Sequence, residues 1–171
     1  MDGTLAALFL IVGLTDMGIS HCGHGGCLAR DSMQGRFDLS VGDVMYQENN
    51  ISEEVYLRYS LPKRFGPFQP IAGASVTSDG DAWVGFGAAY TASFLDDRAY
   101  VQLSLMPGLH AQGSGPDLGH PLEFRSGVEL GYETPKGIRY GISYDHRSNA
   151  EISSVNPGME TLQFRVSFPL R

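Results

Sequence analysis

From Gln34 onward the chain alternates apolar residues with polar or small ones and shows no helical period. Successive side chains of a strand point to opposite faces, so residues of one parity share a face. Eight stretches carry this pattern. The first is Arg36 to Tyr46, with Phe37, Leu39 and Val41 on one face; the second is Glu53 to Leu61, with Val55, Leu57, Tyr59 and Leu61. Phe68 to Thr77 is weaker, being rich in Ala and Gly and interrupted by Pro70. Ala82 to Phe94 sets Val84, Phe86, Ala88 and Tyr90 against Gly85, Gly87 and Ala89. Ala99 to Met106 and Leu122 to Glu133 follow, then Ile138 to Ser148 and Glu160 to Phe168.

The polar faces decide the architecture. They carry Arg58, Glu123, Arg125, Glu129, Arg139, Asp145 and Arg165 among many glycines. Charges of both signs among small residues suit a narrow interior filled by paired side chains, with the apolar face turned to lipid. Eight strands make the smallest common membrane barrel, filled rather than open. The connections agree. Pro62 to Pro67, Leu95 to Arg98 and Thr134 to Gly137 are short, whereas Pro107 to Pro121 is long and Asn149 to Met159 is of middling length. Outer-membrane barrels have short periplasmic turns and longer external loops. The prediction is an all-β, eight-stranded, antiparallel, up-and-down transmembrane β-barrel over residues 34–171, in a Gram-negative outer membrane with both ends periplasmic. A soluble barrel binding an apolar ligand inside is the alternative, and it requires the opposite parity.

At 171 residues the chain is one domain by length. A net charge of −7 and the lack of a basic run argue against nucleic acid as a partner. Leu5 to Leu14 has the length of a signal-peptide apolar core and is too short to span as a helix, although Asp2 is the only charge before it. Residues 1–29 are expected to be a signal peptide or a disordered segment. Within them His21, Cys22, His24 and Cys27 lie close enough to ligate zinc, but a small disulfide loop in an oxidising compartment explains them more simply. No metal or other cofactor is expected. His110 and His120 fall in the long connection and read as solvated loop residues.

One local anomaly interrupts the apolar parity. Ile138, Tyr140, Ile142 and Tyr144 share a face that continues into His146 and Ser148; across the next connection, Glu160 heads the face of Leu162, Phe164, Val166 and Phe168. Residues i and i+2 on a strand lie about 6 to 7 Å apart, within reach of an imidazole and a hydroxyl. A Ser nucleophile, a His base and a carboxylate that orients it are thereby available at the ends of two paired strands. Asn149 offers an amide donor for an oxyanion, as do the main-chain N–H groups at Asn149 and Ala150. Taken singly, each of these is an ordinary polar residue where a strand leaves the membrane.

The pattern H-x-S-N at His146 to Asn149, followed by Glu160 close to the C-terminus, resembles the outer-membrane lipid A 3-O-deacylases (the PagL family). The resemblance is specific from about Phe124 onward and covers the earlier strands only in layout; the N-terminal Cys/His segment has no counterpart. It implies that His146 is the base, Ser148 the nucleophile, Glu160 the orienting acid and Asn149 the oxyanion donor. It also implies that Phe124, on the preceding strand, serves the substrate. The expected function is a serine esterase that works from the outer wall of the barrel on the 3-linked acyl ester of lipid A in lipopolysaccharide. A homodimer is left open. The competing expectation is a non-enzymatic structural or adhesive barrel.

Overall fold

The computed structural model describes residues 3–23 and 26–170. Eight antiparallel strands close into a barrel. They are β1 (Arg36–Tyr46), β2 (Asn49–Ser60), β3 (Phe68–Thr77), β4 (Ala82–Phe94), β5 (Ala99–Ala111), β6 (Leu122–Glu133), β7 (Arg139–Ser148) and β8 (Met159–Pro169). Each strand pairs with its chain neighbours, and β8 pairs with β1 to complete the ring. Closure leaves no ladder edge without partners, which lipid would penalise heavily.

Parity sorts the side chains as the alternation requires. Ile142 is 61% exposed on the outside, whereas Arg165 on the neighbouring strand is 1% exposed inside. The lumen is packed with charge pairs. Arg58 meets Asp38 at 2.7 Å, Arg125 bridges Glu54 at 2.7 Å and Asp145 at 2.8 Å, Arg147 reaches Glu54 at 2.5 Å, and Arg165 bonds Glu129. Tyr56 and Trp83 fill the remaining space, with the Arg125 guanidinium 3.9 Å from the Tyr56 ring centre. An apolar outer wall around a charged interior is the inverse of a water-soluble barrel, so the parity that a soluble barrel needs is not the one observed.

Two sequence expectations change. β5 runs on through Pro107 and Gly108 to Ala111, because Pro107 still finds a place in the ladder opposite Phe124. His110 therefore lies on a strand, 8% exposed, and is not a solvated loop residue. His120 is half-buried in the loop and accepts the Leu122 main-chain N–H at 3.0 Å. The alternation of loop lengths holds on one side of the barrel only. At the end where β7 finishes, the β1–β2 hairpin turns at Gln47 and Glu48, both with positive φ, and β3–β4 turns at 78–81; the two longer connections, 112–121 and 149–158, flank β6, β7 and β8.

The N-terminal segment is helical. α1 (Thr4–Asp16) continues as a π-helical turn, Met17–His21, giving 18 residues long and apolar enough to cross a membrane, more than the Leu5 to Leu14 core suggested. The helix packs on the outer wall against β5 and β6, and the Phe9 ring lies 5.5 Å from that of Phe68 on β3. Beyond it Cys22 and Cys27 form a disulfide, so their sulfurs are bound to each other and not to zinc; His24 lies outside the described residues. Arg30–Ser32 then pairs with Lys63–Phe65 in the β2–β3 connection.

Candidate active site

The site is assembled by register. In the β7–β8 ladder Glu160 stands directly opposite His146, and in the β6–β7 ladder Phe124 stands opposite Ser148 and Ser126 opposite His146. Three neighbouring strands thus bring Glu160, His146, Ser148, Ser126 and Phe124 into one outward-facing patch at the loop end. Opposed residues in an antiparallel pair have Cβ atoms about 5 Å apart, close enough for side-chain hydrogen bonds.

His146 Nδ1 lies 3.0 Å from Glu160 Oε1. A carboxylate only accepts, so Nδ1 carries a proton toward it, which in a neutral imidazole leaves the lone pair on Nε2. Among the described residues the buried Nε2 has no hydrogen-bond partner, Ser148 included. One nitrogen is anchored and the other is unpaired. The imidazole is 2% exposed although it stands on the outward parity. Part of its cover is Gly158, where a Cβ would come within 2.9 Å of His146 Cε1 and where φ is +72°. A side chain there would be strained and would push against the ring.

The imidazole borders a cavity of about 270 Å³ lined by Phe124, Ser126, His146, Ser148, Ala150 and Asn156, with Leu105, Glu151, Gly3 and Ala6 around it. Ala150 and Glu151 both hold left-handed φ values, 52° and 63°, immediately after the Ser148–Asn149 pair. Backbone strain in non-glycine residues is the sort of feature that functional sites retain.

Asn149 is not brought to this cavity. It is fully buried, and its Nδ2 donates to the carbonyls of Leu118 at 2.9 Å and Val155 at 2.7 Å, clamping the β5–β6 and β7–β8 loops together. Its main-chain N–H donates to Asn156 Oδ1 at 3.0 Å. That bond assigns the Asn156 amide: Oδ1 is engaged by Asn149, and Nδ2 is the donor left over. Ser126 and Asn156 were missed in the sequence. Ser126 sits one register step from the anomaly, and Asn156 lies in a loop without periodicity. Among the described residues no group of three His, Cys, Asp or Glu is placed to hold a metal.

A closed eight-stranded barrel with an apolar outer wall around a charged lumen defines the class of outer-membrane β-barrels. The family model for lipid A 3-O-deacylase (PagL) matches residues 37–169, and the chain belongs to that family. A crystal structure of the outer-membrane enzyme PagL superposes with a TM-score of 0.64 at 17% identity, covering 79% of this chain and 99% of that one. A de novo designed transmembrane β-barrel superposes at 0.59 with 8% identity, covering 82% and 98%. These two likenesses concern the fold. No curated protein matches the chain. Family and fold together make this an outer-membrane enzyme of the lipid A deacylase type, an ester hydrolase with a lipid substrate.

Proposed function

We propose that the chain is a lipid A 3-O-deacylase that uses Ser148, His146 and Glu160 as a triad. The single observation that carries this reading is the anchored imidazole: Nδ1 held by Glu160, Nε2 unbonded, and Ser148 on the rim of the same cavity. Ser148 Oγ attacks the acyl carbonyl while His146 Nε2 removes its proton, and Glu160 stabilises the imidazolium. The tetrahedral intermediate collapses as the imidazolium protonates the departing sugar oxygen, leaving an acyl-serine. Water, deprotonated by His146, then releases a 3-hydroxy fatty acid and restores the hydroxyl.

The oxyanion needs donors aimed into the cavity. Asn156 Nδ2 and the Ala150 N–H suit that position better than the Asn149 amide, which the loop carbonyls occupy. Asn149 then orients Asn156 and closes the loops. Phe124, opposite Ser148 and half-buried, offers an apolar surface to the acyl chain beside the carbonyl. The outward parity accounts for the substrate class, because acyl chains reach the site sideways from the outer leaflet without a pore.

Lipid A mass spectrometry tests the reading in a Gram-negative host that lacks such an activity. Expression of the intact chain removes one 3-hydroxyacyl group, and the Ser148→Ala barrel removes none. Unchanged lipid A with the intact chain would return the protein to the non-enzymatic class.

A further inference from the structure

The rim of the active-site cavity carries a carboxylate that the hydrolysis does not use. Glu151 is exposed and shares that rim with Ala150 and Asn156, in the pair of residues with left-handed φ. Its loop, 149–158, contains no Lys or Arg. Arg125 and Arg147, the cations of the adjoining strand ends, are 3% and 2% exposed and bound to Glu54 inside the lumen.

The same sign continues around this end of the barrel. The four connections there, 47–48, 78–81, 112–121 and 149–158, carry Glu48, Asp79, Asp81, Asp117 and Glu151 and neither Lys nor Arg. On the outer wall Asp43 of β1 stands directly opposite Glu53 of β2, both exposed, and opposite Leu162 of β8, two residues along from Glu160. Like charges directly opposed weaken a strand pair. The Lys and Arg residues of the connections, Lys63, Arg64, Arg98 and Lys136, all lie at the far end, away from the site.

The substrate makes this distribution matter. Lipid A carries phosphate esters on the same glucosamine sugars that bear its acyl chains. A phosphate brought over this rim meets carboxylates and no guanidinium to offset them, so the approach of a highly charged headgroup is opposed. We infer that the rim selects lipid A by headgroup charge: turnover falls with each phosphate on the sugar, and Glu151 is the residue at the cavity that reads it. The inference rests on the lipid A esterase reading of the same site. An exposed charge contributes about fivefold at most, and salt removes it, because the screening length shrinks from about 30 Å at 0.01 M to about 3 Å at 1 M.

The test uses the purified full chain in excess neutral detergent, with bisphosphorylated lipid A and the monophosphorylated form made from it by mild acid as the two substrates. Each rate is divided by the same enzyme's rate on an uncharged p-nitrophenyl ester, so that a general loss of activity cancels. At about 0.01 M salt the monophosphorylated form is hydrolysed about fivefold faster, and at 1 M the two rates converge. Glu151→Gln narrows the low-salt ratio, and Glu151→Lys brings it to one or inverts it. Equal low-salt rates for the unaltered chain overturn the selection and leave the esterase standing. So does a preference that neither salt nor Glu151→Lys changes, since that would be a matter of shape and not of charge. Failure of the unaltered chain to cleave any of the three esters would instead remove the esterase reading, and this inference with it.

Discussion

Asp145, His146, Arg147 and Ser148 are consecutive on one strand, yet they belong to two different chemical environments. The odd pair points into the lumen: Asp145 accepts from Arg125 at 2.9 Å and Arg147 donates to Glu54 at 2.5 Å. The even pair points outward, where His146 is fastened at one nitrogen and unbonded at the other. Burial is nearly the same, 5% and 2% exposed for Asp145 and His146. What separates the two faces is how the hydrogen-bonding capacity is used. Inside, opposite charges neutralise one another and hold the strands in place. Outside, His146 keeps one ring nitrogen unpaired among the described residues, beside a cavity, as the proposed base would need. Among the described residues, single atoms of Ser143, Arg147, Gln163 and Arg165 in the lumen are also unbonded, and Glu123 is fully buried with neither oxygen hydrogen-bonded.

Substitutions can break this contrast in a definite order. Ser148→Ala lowers deacylation by about a millionfold, about 8 kcal/mol in the barrier, with the barrel's unfolding midpoint unchanged. Residual turnover near the native rate, measured on purified lipid A, would contradict the nucleophile. Glu160→Gln keeps the shape of the pair but stabilises the wrong tautomer or weakens the imidazolium. It lowers turnover by about ten-thousandfold, again without loss of the fold. A mere twofold fall would show that Glu160 does not orient His146.

The inner face responds in the other observable. Glu54→Ala leaves Arg147 without its carboxylate and Arg125 with Asp145 alone, and destabilises the barrel by about 3 to 5 kcal/mol, read from urea unfolding followed by gel mobility. An unaltered midpoint would mean that the lumen pairs contribute little. Gly158→Ala sits between the two faces in effect. It displaces the imidazole it covers and costs about tenfold to a hundredfold in turnover, with a stability loss of about 1 kcal/mol. Wild-type turnover in that variant would show that the ring tolerates the extra methyl. The smallest effect belongs to Glu123→Gln. Removing a buried carboxylate that makes no hydrogen bond raises stability by about 1 kcal/mol and leaves deacylation alone. A marked fall in the midpoint would reveal a partner for Glu123.

Much of this was legible because alternation is local. Phe37, Leu39 and Val41, or Tyr140 and Ile142, declare an outward face from a few residues, since each side chain's direction follows from the pleat alone. The same rule put Arg58, Arg125 and Arg165 inside and marked His146, Ser148 and Glu160 as out of place. The rule misled at Pro107, which reads as a loop residue but continues β5, so His110 was assigned to water when it lies on a strand.

The sequence by itself determined which side of the wall each strand residue occupies, because that is a property of single strands. Only the tertiary structure decided who meets whom across them. Register set Glu160 opposite His146 and Ser126 one strand away, and loop packing gave the Asn149 amide to Leu118 and Val155, so that Asn156 and not Asn149 lines the cavity. The helix on the outer wall belongs to the same category. Its apolarity is written in Leu5 to Leu14, but its seat against Phe68 and its reach to the cavity depend on surfaces created when the barrel closes.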